Sequence, residues 1–357
     1  MKAFLALPVC LAALLVCFAA RPVLAQAYAL TDLGLPTGYT GSSAKAVNDK
    51  DQVTGEISHG TQFSHAFLYS SGRMTDLGTL PGFRDSVGNA INDRGEVTGV
   101  ATGADPTDPS ANPALIVHAF TAEAGALHDL RPLGRALYMS SGINAAGQVV
   151  GGVITLRDQS RAFVWRGGRV MLLDEQIARP GSGWKLQEAD GINDSGDIVG
   201  SGFHSGVLHA FLYHGGEVTD LNRYLPAPTD WVLERAEGIN TKGDIVCLGK
   251  RGQTSHAFLF SGGVMADLGA LPDYPNLVEA HLNNAGQVVG EAQTASGTQQ
   301  CAFLYEGGKL LDLNRTLPPE AHWSLTEANG INDNGVIVGT GEHEGKGRAF
   351  LLTPKGK

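Results

Sequence analysis

The sequence holds no nucleophile elbow, no phosphate-cradling glycine loop and no Cys-x-x-Cys pair, so the commonest nucleophilic, nucleotide-binding and redox chemistries have no signature in it. A basic run is also missing. With 26 Lys and Arg against 36 Asp and Glu, and a formal charge of −10, bulk attraction to phosphate is absent. That argues against nucleic acid and against anionic membrane surfaces as partners. One apolar stretch stands at the N-terminus and no second follows, so no membrane span is expected. Cysteine is scarce: there are 4, and two of them, Cys10 and Cys17, fall in that first stretch.

Residues 1–25 read as a secretory signal peptide. Lys2 supplies the positive start, residues 5–20 are apolar apart from Pro8, and Val23-Leu24-Ala25 ends on a small residue suited to cleavage, with Ala27 a nearby alternative. Neither Cys10 nor Cys17 follows the small residue usual before a lipoprotein cysteine. Cleavage would leave residues 26–357, carrying a charge of −12 once Lys2 and Arg21 are gone, in a secreted or periplasmic location. Cys247 and Cys301 remain, at non-equivalent places in neighbouring repeats. An oxidising compartment could bridge them, but two buried free thiols is the plainer expectation.

What fills the rest is one unit repeated seven times. Its most legible copy runs Glu188-Ala189-Asp190-Gly191-Ile192-Asn193-Asp194-Ser195-Gly196-Asp197-Ile198-Val199-Gly200, then His209-Ala210-Phe211-Leu212-Tyr213, then Val218-Thr219-Asp220-Leu221. The first Asn recurs at Asn48, Asn92, Asn144, Asn240, Asn283 and Asn332, and the Phe at Phe67, Phe120, Phe163, Phe258, Phe303 and Phe350. Each copy divides into four strand-like pieces. Asn-x-x-Gly suits a type I turn into a bulged hairpin, and Gly-Gly pairs such as Gly215-Gly216 suit a second tight hairpin. Leu-Pro stretches such as Leu225-Pro226 suit a loop crossing to the next unit.

Periods of 40 to 50 residues built from short strands point to a propeller or an array. The last copy lacks a fourth strand, whereas Leu30-Thr31-Asp32-Leu33-Gly34 is a fourth strand without a unit. Joining the two would bury both raw edges. The expected fold is therefore all-β: a single seven-bladed β-propeller over residues 26–357, closed by its N-terminal strand and acting as a monomer. A β-solenoid is the structural alternative. Counting back from the turn Asn, the second and fourth residues are small in six copies and should share one face of the innermost strand, as crowding at a ring centre demands. Blade six breaks the rule with His281 and Glu279.

The blocks His65-Ala66-Phe67, His118-Ala119-Phe120, His209-Ala210-Phe211 and His256-Ala257-Phe258 lie between Gly-Ile-Asn-x-x-Gly and Asp-Leu motifs. In that order and spacing they resemble the bacterial HAF repeat family across essentially the whole mature chain. Arg161, Cys301 and Arg348 replace the His in three copies. The resemblance implies an exported repeat protein and brings no catalytic residues with it.

Four groups of residues invite a chemical reading. The His row cannot share one metal, because equivalent residues of different blades lie too far apart for Zn–N bonds of about 2.0–2.1 Å; each His is expected to bond within its own blade. Asn-Asp turns such as Asn193-Asp194 and Asn332-Asp333 place oxygens as calcium loops do, but Ala145, Thr241 and Asn284 interrupt the series, and Asx turns explain it more simply. Calcium is thus the one cofactor these turns could suggest, and no residue stands out as a metal ligand. Glu279 and His281, two apart on a strand, would line the channel and bind a ligand or act as acid and base; looser local packing, or a one-residue shift in alignment, explains them more simply. Trp184, Trp231 and Trp323 fit Trp-x-Leu-x-x-Ala and would serve as sugar-stacking platforms or as inter-blade wedges.

The inner strands carry Glu188, Glu327 and Glu279 but no dense carboxylate cluster. The expectation is a non-catalytic binding module for a glycan, an envelope component or a protein, with no catalytic residues assigned. A propeller hydrolase or lyase near the channel, and a structural surface protein, are the alternatives.

Overall fold

The computed structural model describes residues 28–103, 116–130, 137–154, 160–178 and 181–355. The expected signal peptide lies outside them, as do residues 104–115. Seven four-stranded antiparallel sheets follow one another, each in simple up-and-down order except the last. Blade four shows the pattern: Trp184–Ile192 innermost, then Ile198–His204, Val207–His214 and Glu217–Asp220. The seventh sheet takes Trp323–Ile331, Ile337–His343 and Lys346–Pro354, and its fourth strand is Tyr28–Asp32 from the other end of the chain. Leu30 pairs with Leu352 and Asp32 with Phe350. The fold is thus a seven-bladed β-propeller closed by its N-terminal strand.

Local chemistry makes the hairpins. Asn193 Oδ1 accepts from Asp197 N at 2.9 Å, Gly196 N donates to Asn193 O at 3.0 Å, and Gly196 takes φ +83°. No Cβ tolerates that angle cheaply, so glycine ends the turn.

The blades stick together through apolar cores that straddle neighbours. Val164 and Leu173 of blade three, for instance, share a cluster with Leu186, Ile198 and Phe211 of blade four. The repeated Phe is buried in every blade. Each such ring contributes on the order of 1.5–3 kcal/mol. Cys247 and Cys301 are both buried and unbridged. Burial pushes the Cys301 thiol up to about 12 and raises Cys247 further, which disfavours the thiolate at both.

The reading of the small residues needs correction. In six blades a β-bulge falls between them: Ala189 pairs with Gly200, and Gly191 pairs with Val199. The bulge rotates the strand, so the two small residues face opposite neighbours and not one channel face. A Cβ on Gly88 would meet Thr54 Oγ1 of the preceding blade at 2.1 Å, and one on Gly191 would meet Gly238 Cα of the following blade at 3.2 Å. Small residues let inner strands approach each other. Blade six has no bulge at this point: Ala280 pairs with Gly290 and His281 with Val289. Its strand is one residue shorter, so buried Ala280 takes the small place that the count had given to Glu279.

Candidate functional site

Seven turn asparagines close one mouth of the channel. Each Nδ2 donates to the carbonyl of the corresponding Asn in the next blade, from Asn48 to Asn92 O at 2.9 Å around to Asn332 to Asn48 O at 2.9 Å. All seven are buried. The following residues form an outer rim: Asp333 N donates to Asp49 Oδ1 at 2.8 Å and Asp49 N to Asp93 Oδ1 at 2.9 Å. Burial raises the Asp49 carboxyl; the hydrogen bond from Asp333 N pulls the other way, while the charges of Asp333, Asp93 and Asp51 add to the rise. Within the rim a funnel of about 210 Å³ narrows onto an aliphatic collar that includes Ile143, Ile192 and Leu282.

Behind the collar the inner strands turn polar, and most strongly in blades four, five and six. Arg235 Nη2 donates to Asp190 Oδ1 at 2.8 Å and its Nε lies 3.7 Å from Glu237 Oε1. Glu237 Oε2 accepts from Ala280 N at 2.6 Å. His281 Nε2 lies 3.4 Å from Glu279 Oε1. Lys45 of blade one stands 3.9 Å from Glu327 of the adjoining blade seven. The carboxyls of Asp190 and Glu237 are nearly covered, at 4% and 7% exposure, whereas Glu279 and His281 keep 36% and 32% open to the channel. Asp190 Oδ2 is buried and has no hydrogen-bond partner.

These surroundings drive the carboxyls apart. Burial lifts Asp190 to about 6 against the opposing pull of Arg235. Burial lifts Glu237 to about 7, again against Arg235. Glu279 is also raised by burial, but the His281 hydrogen bond and the charges of His281, Lys45 and Arg235 outweigh it and bring it down to about 2. Burial presses His281 down, while Glu279 and Glu237 more than compensate and leave it raised.

Of the residues singled out by sequence, Glu279 and His281 therefore do meet, in a belt with Asp190, Arg235 and Glu237. The last three escaped notice. Asp190 and Glu237 occupy the bulge itself, between the two small residues, and a polar residue recurs there as Lys45, Asn89, Ser141 and Asn329. That recurrence was the available signal. Asn89 and Asn329 use it to cross blades, donating to Ser140 O at 2.8 Å and Ala44 O at 2.9 Å.

The tryptophans lie at the other end of the innermost strand, each in its own blade. Trp184 stacks on His204 with centroids 4.6 Å apart, Trp323 stacks on His343 at 4.8 Å, and Arg251 lies 4.7 Å over Trp231. All three are half-buried and set edge-on to the blade Phe. The motif histidines bond within their blades to the Asp of the fourth strand: His65 to Asp76 at 3.1 Å, His118 to Asp129 at 3.0 Å, His209 to Asp220 at 2.7 Å and His256 to Asp267 at 2.8 Å. Arg161 plays the same part, its Nε reaching Asp174 at 3.0 Å.

No protein-family model matches the sequence, and no curated protein does. Solved structures match by shape. The β-propeller domain of the trilobed protease from Pyrococcus furiosus aligns at TM-score 0.50 and 13% identity, over 76% of this chain and 81% of that one. That domain is described as having an open velcro topology, whereas here the Tyr28–Asp32 strand pairs into the last blade. Pyrococcus horikoshii acylaminoacyl peptidase aligns at 0.51 and 11% identity, over 76% of this chain and 44% of the peptidase. A puromycin hydrolase aligns at 0.51 and 12% identity, over 86% of this chain and 52% of the enzyme. The chain thus spans about half of those two enzymes or less. The likeness is one of fold. Among the described residues no helix is long and apolar enough to cross a membrane.

Proposed function

We propose that this chain is an exported HAF-repeat propeller acting as a binding module, and that its channel belt takes a cationic, hydrogen-bond-donating group, an ammonium or a guanidinium. The observation that carries the reading is the state of Asp190 and Glu237. Two carboxyls are held buried with raised affinity for protons, and one oxygen is left without a donor. Such groups gain most when a cation supplies both charge and N–H. The belt is net acidic. Among the described residues, Glu188, Asp190, Glu237, Glu279 and Glu327 have Arg235, Lys45 and His281 as their basic neighbours. A ligand of this class would be a polyamine, an amine-bearing envelope glycan or a basic protein segment. Export rests on the N-terminal sequence, and the covered faces of Trp184 and Trp323 favour the wedge reading over sugar stacking.

The test is a thermal-shift series on the mature chain with agmatine, spermidine, neutral oligosaccharides and calcium. The organic cations should raise the melting temperature, and Glu279→Gln should abolish the rise. A shift with oligosaccharide alone, lost in Trp184→Ala, would replace this reading with a lectin.

A second reading, a hydrolase or lyase, draws on the split between Glu237 at about 7 and Glu279 at about 2. Pairs driven apart in this way can serve as acid and base. The two readings part on turnover: an enzyme would consume a bound substrate and lose its rate in Glu237→Gln, while a module would bind and release it unchanged.

A further inference from the structure

Blade four differs from its siblings at the end away from the asparagine ring. His204 ends its second strand, His209 sits in its third and Asp220 ends its fourth, and hairpin pairing brings them together. His204 Nδ1 lies 3.2 Å and His209 Nδ1 2.7 Å from the same oxygen, Asp220 Oδ2. The two imidazoles are set at 70° to each other with centroids 5.9 Å apart, so they are not stacked on one another at that oxygen. The three ligand atoms all lie within 4.8 Å of one another, and no other trio of metal-binding side chains does so among the described residues.

We propose that this trio is a divalent-metal site, with His204 Nδ1, His209 Nδ1 and Asp220 Oδ2 as its protein ligands. Insertion of a cation at about 2.0–2.2 Å from each asks for shifts on the order of 1 Å. The supporting shell is already in place. Asp220 Oδ1 is tied down by Asn222 N at 2.9 Å and Asn222 Nδ2 at 3.1 Å, which leaves Oδ2 facing the imidazoles. Trp184 lies parallel to the His204 ring at 5° and fixes its plane. All three ligands sit on strands, where a site is held more firmly than on loops.

The other blades show what a blade does without the site. In blade one the Tyr39 hydroxyl, 3.2 Å from His65 Nδ1 and 2.5 Å from Asp76 Oδ2, stands where the second imidazole would be. In blade seven the motif His is Arg348, and His343 stays 3.7 Å from Asp32. Blade five puts the guanidinium of Arg251 over its tryptophan. Only blade four among the described residues aims two imidazoles at its carboxylate.

Two imidazoles and one carboxylate suit zinc, cobalt, nickel or copper far better than magnesium or calcium. Three protein ligands leave a coordination position free, and a cavity of about 620 Å³ opens beside them, lined by Trp184, His204, Asp220 and Arg223. A bound metal would thus hold an exchangeable water or an anionic ligand group there, with the Arg223 side chain close by. The site is separate from the channel belt and stands or falls without it.

The test uses the full mature chain without a tag, stripped with chelator and titrated with cobalt(II). The expected result is one equivalent bound, with visible d–d absorption and quenching of tryptophan fluorescence. Zinc should displace the cobalt, while calcium and magnesium should not. His204→Gln, at a half-exposed position that does not hold the core, should weaken binding tenfold or more, and His209→Gln likewise. Trp184→Phe should keep the absorption but lose much of the quenching. His281→Gln and His343→Gln should bind as the parent does. Failure to bind cobalt at millimolar concentration, or full binding by folded His204→Gln, would overturn the assignment.

Discussion

At the scale of the residue, the turn asparagine carries more of the structure than its size suggests. Asn240 Oδ1 accepts from Lys242 N at 3.0 Å and Asp244 N at 2.9 Å, while Nδ2 reaches Asp244 Oδ2 at 2.9 Å and Asn283 O at 3.1 Å. One amide therefore shapes its own turn and binds the next blade. Asn240→Ala strands several buried groups and should cost roughly 1–3 kcal/mol in denaturant unfolding. Asn240→Asp should cost more at neutral pH than at mild acid, because it points a carboxylate at Asp244 and at a carbonyl. The belt carboxyls set a second expectation. Glu237, raised from 4.5 to about 7, keeps a proton in the folded state that the unfolded chain has released, so its contribution to stability falls as pH rises through that window. Asp190 acts in the same direction between 3.8 and about 6. Glu279, lowered to about 2, works the other way: its contribution is present above 4.5 and lost as pH falls toward 2. Thermal melts across pH should therefore show stability declining from mildly acidic to neutral pH, with a shallower slope in Glu237→Gln. An unchanged slope would mean the buried carboxyl is not protonated.

At the scale of the element, the innermost strand decides both the packing and the site. Gly200 shows how little room it leaves: a Cβ there would meet Glu188 O at 2.0 Å and Ala189 Cα at 2.9 Å. Gly200→Ala must push two paired strands apart and should destabilise by about 1–3 kcal/mol or more, whereas Ala at the open Gly206 turn should cost only its positive-φ strain. The repeat, the turns, the blade count and the closing strand were legible in the sequence because each rests on local chemistry written seven times over. The bulge was not. A one-residue insertion shifts the alternation, and over so short a strand the buried Leu186, Ala189 and Ile192, three apart, match no single strand period, so the two small residues looked like one face when they serve two. The shortened strand of blade six did leave a trace, a spacing of 43 from Asn240 to Asn283 against 44 to 52 elsewhere. The belt was half legible for the same reason. Glu279 and His281 stood out as irregular, while Asp190 and Glu237 hid at bulge positions whose direction only the register reveals.

At the scale of the whole molecule, closure is achieved twice: by the Tyr28–Asp32 strand and by the asparagine ring, whose last link runs from Asn332 back to Asn48. Deleting the closing strand should leave the inner ring intact but bare the edge of Lys346–Pro354 and uncover Phe350 and Leu352, residues now buried. Dimers or aggregates should then appear in light scattering, and the parent should show none. The ring also holds blades four, five and six so that their carboxyls converge on one stretch of channel, and the functional account depends on that convergence. Isothermal titration of the mature chain with agmatine, at about pH 6.5 in buffers of different ionisation enthalpy, tests it most directly. The account predicts one-to-one binding with release of protons from Glu237 and Asp190, and a smaller release in Glu237→Gln. Absence of binding, or binding with no proton release and no change in that variant, would contradict it.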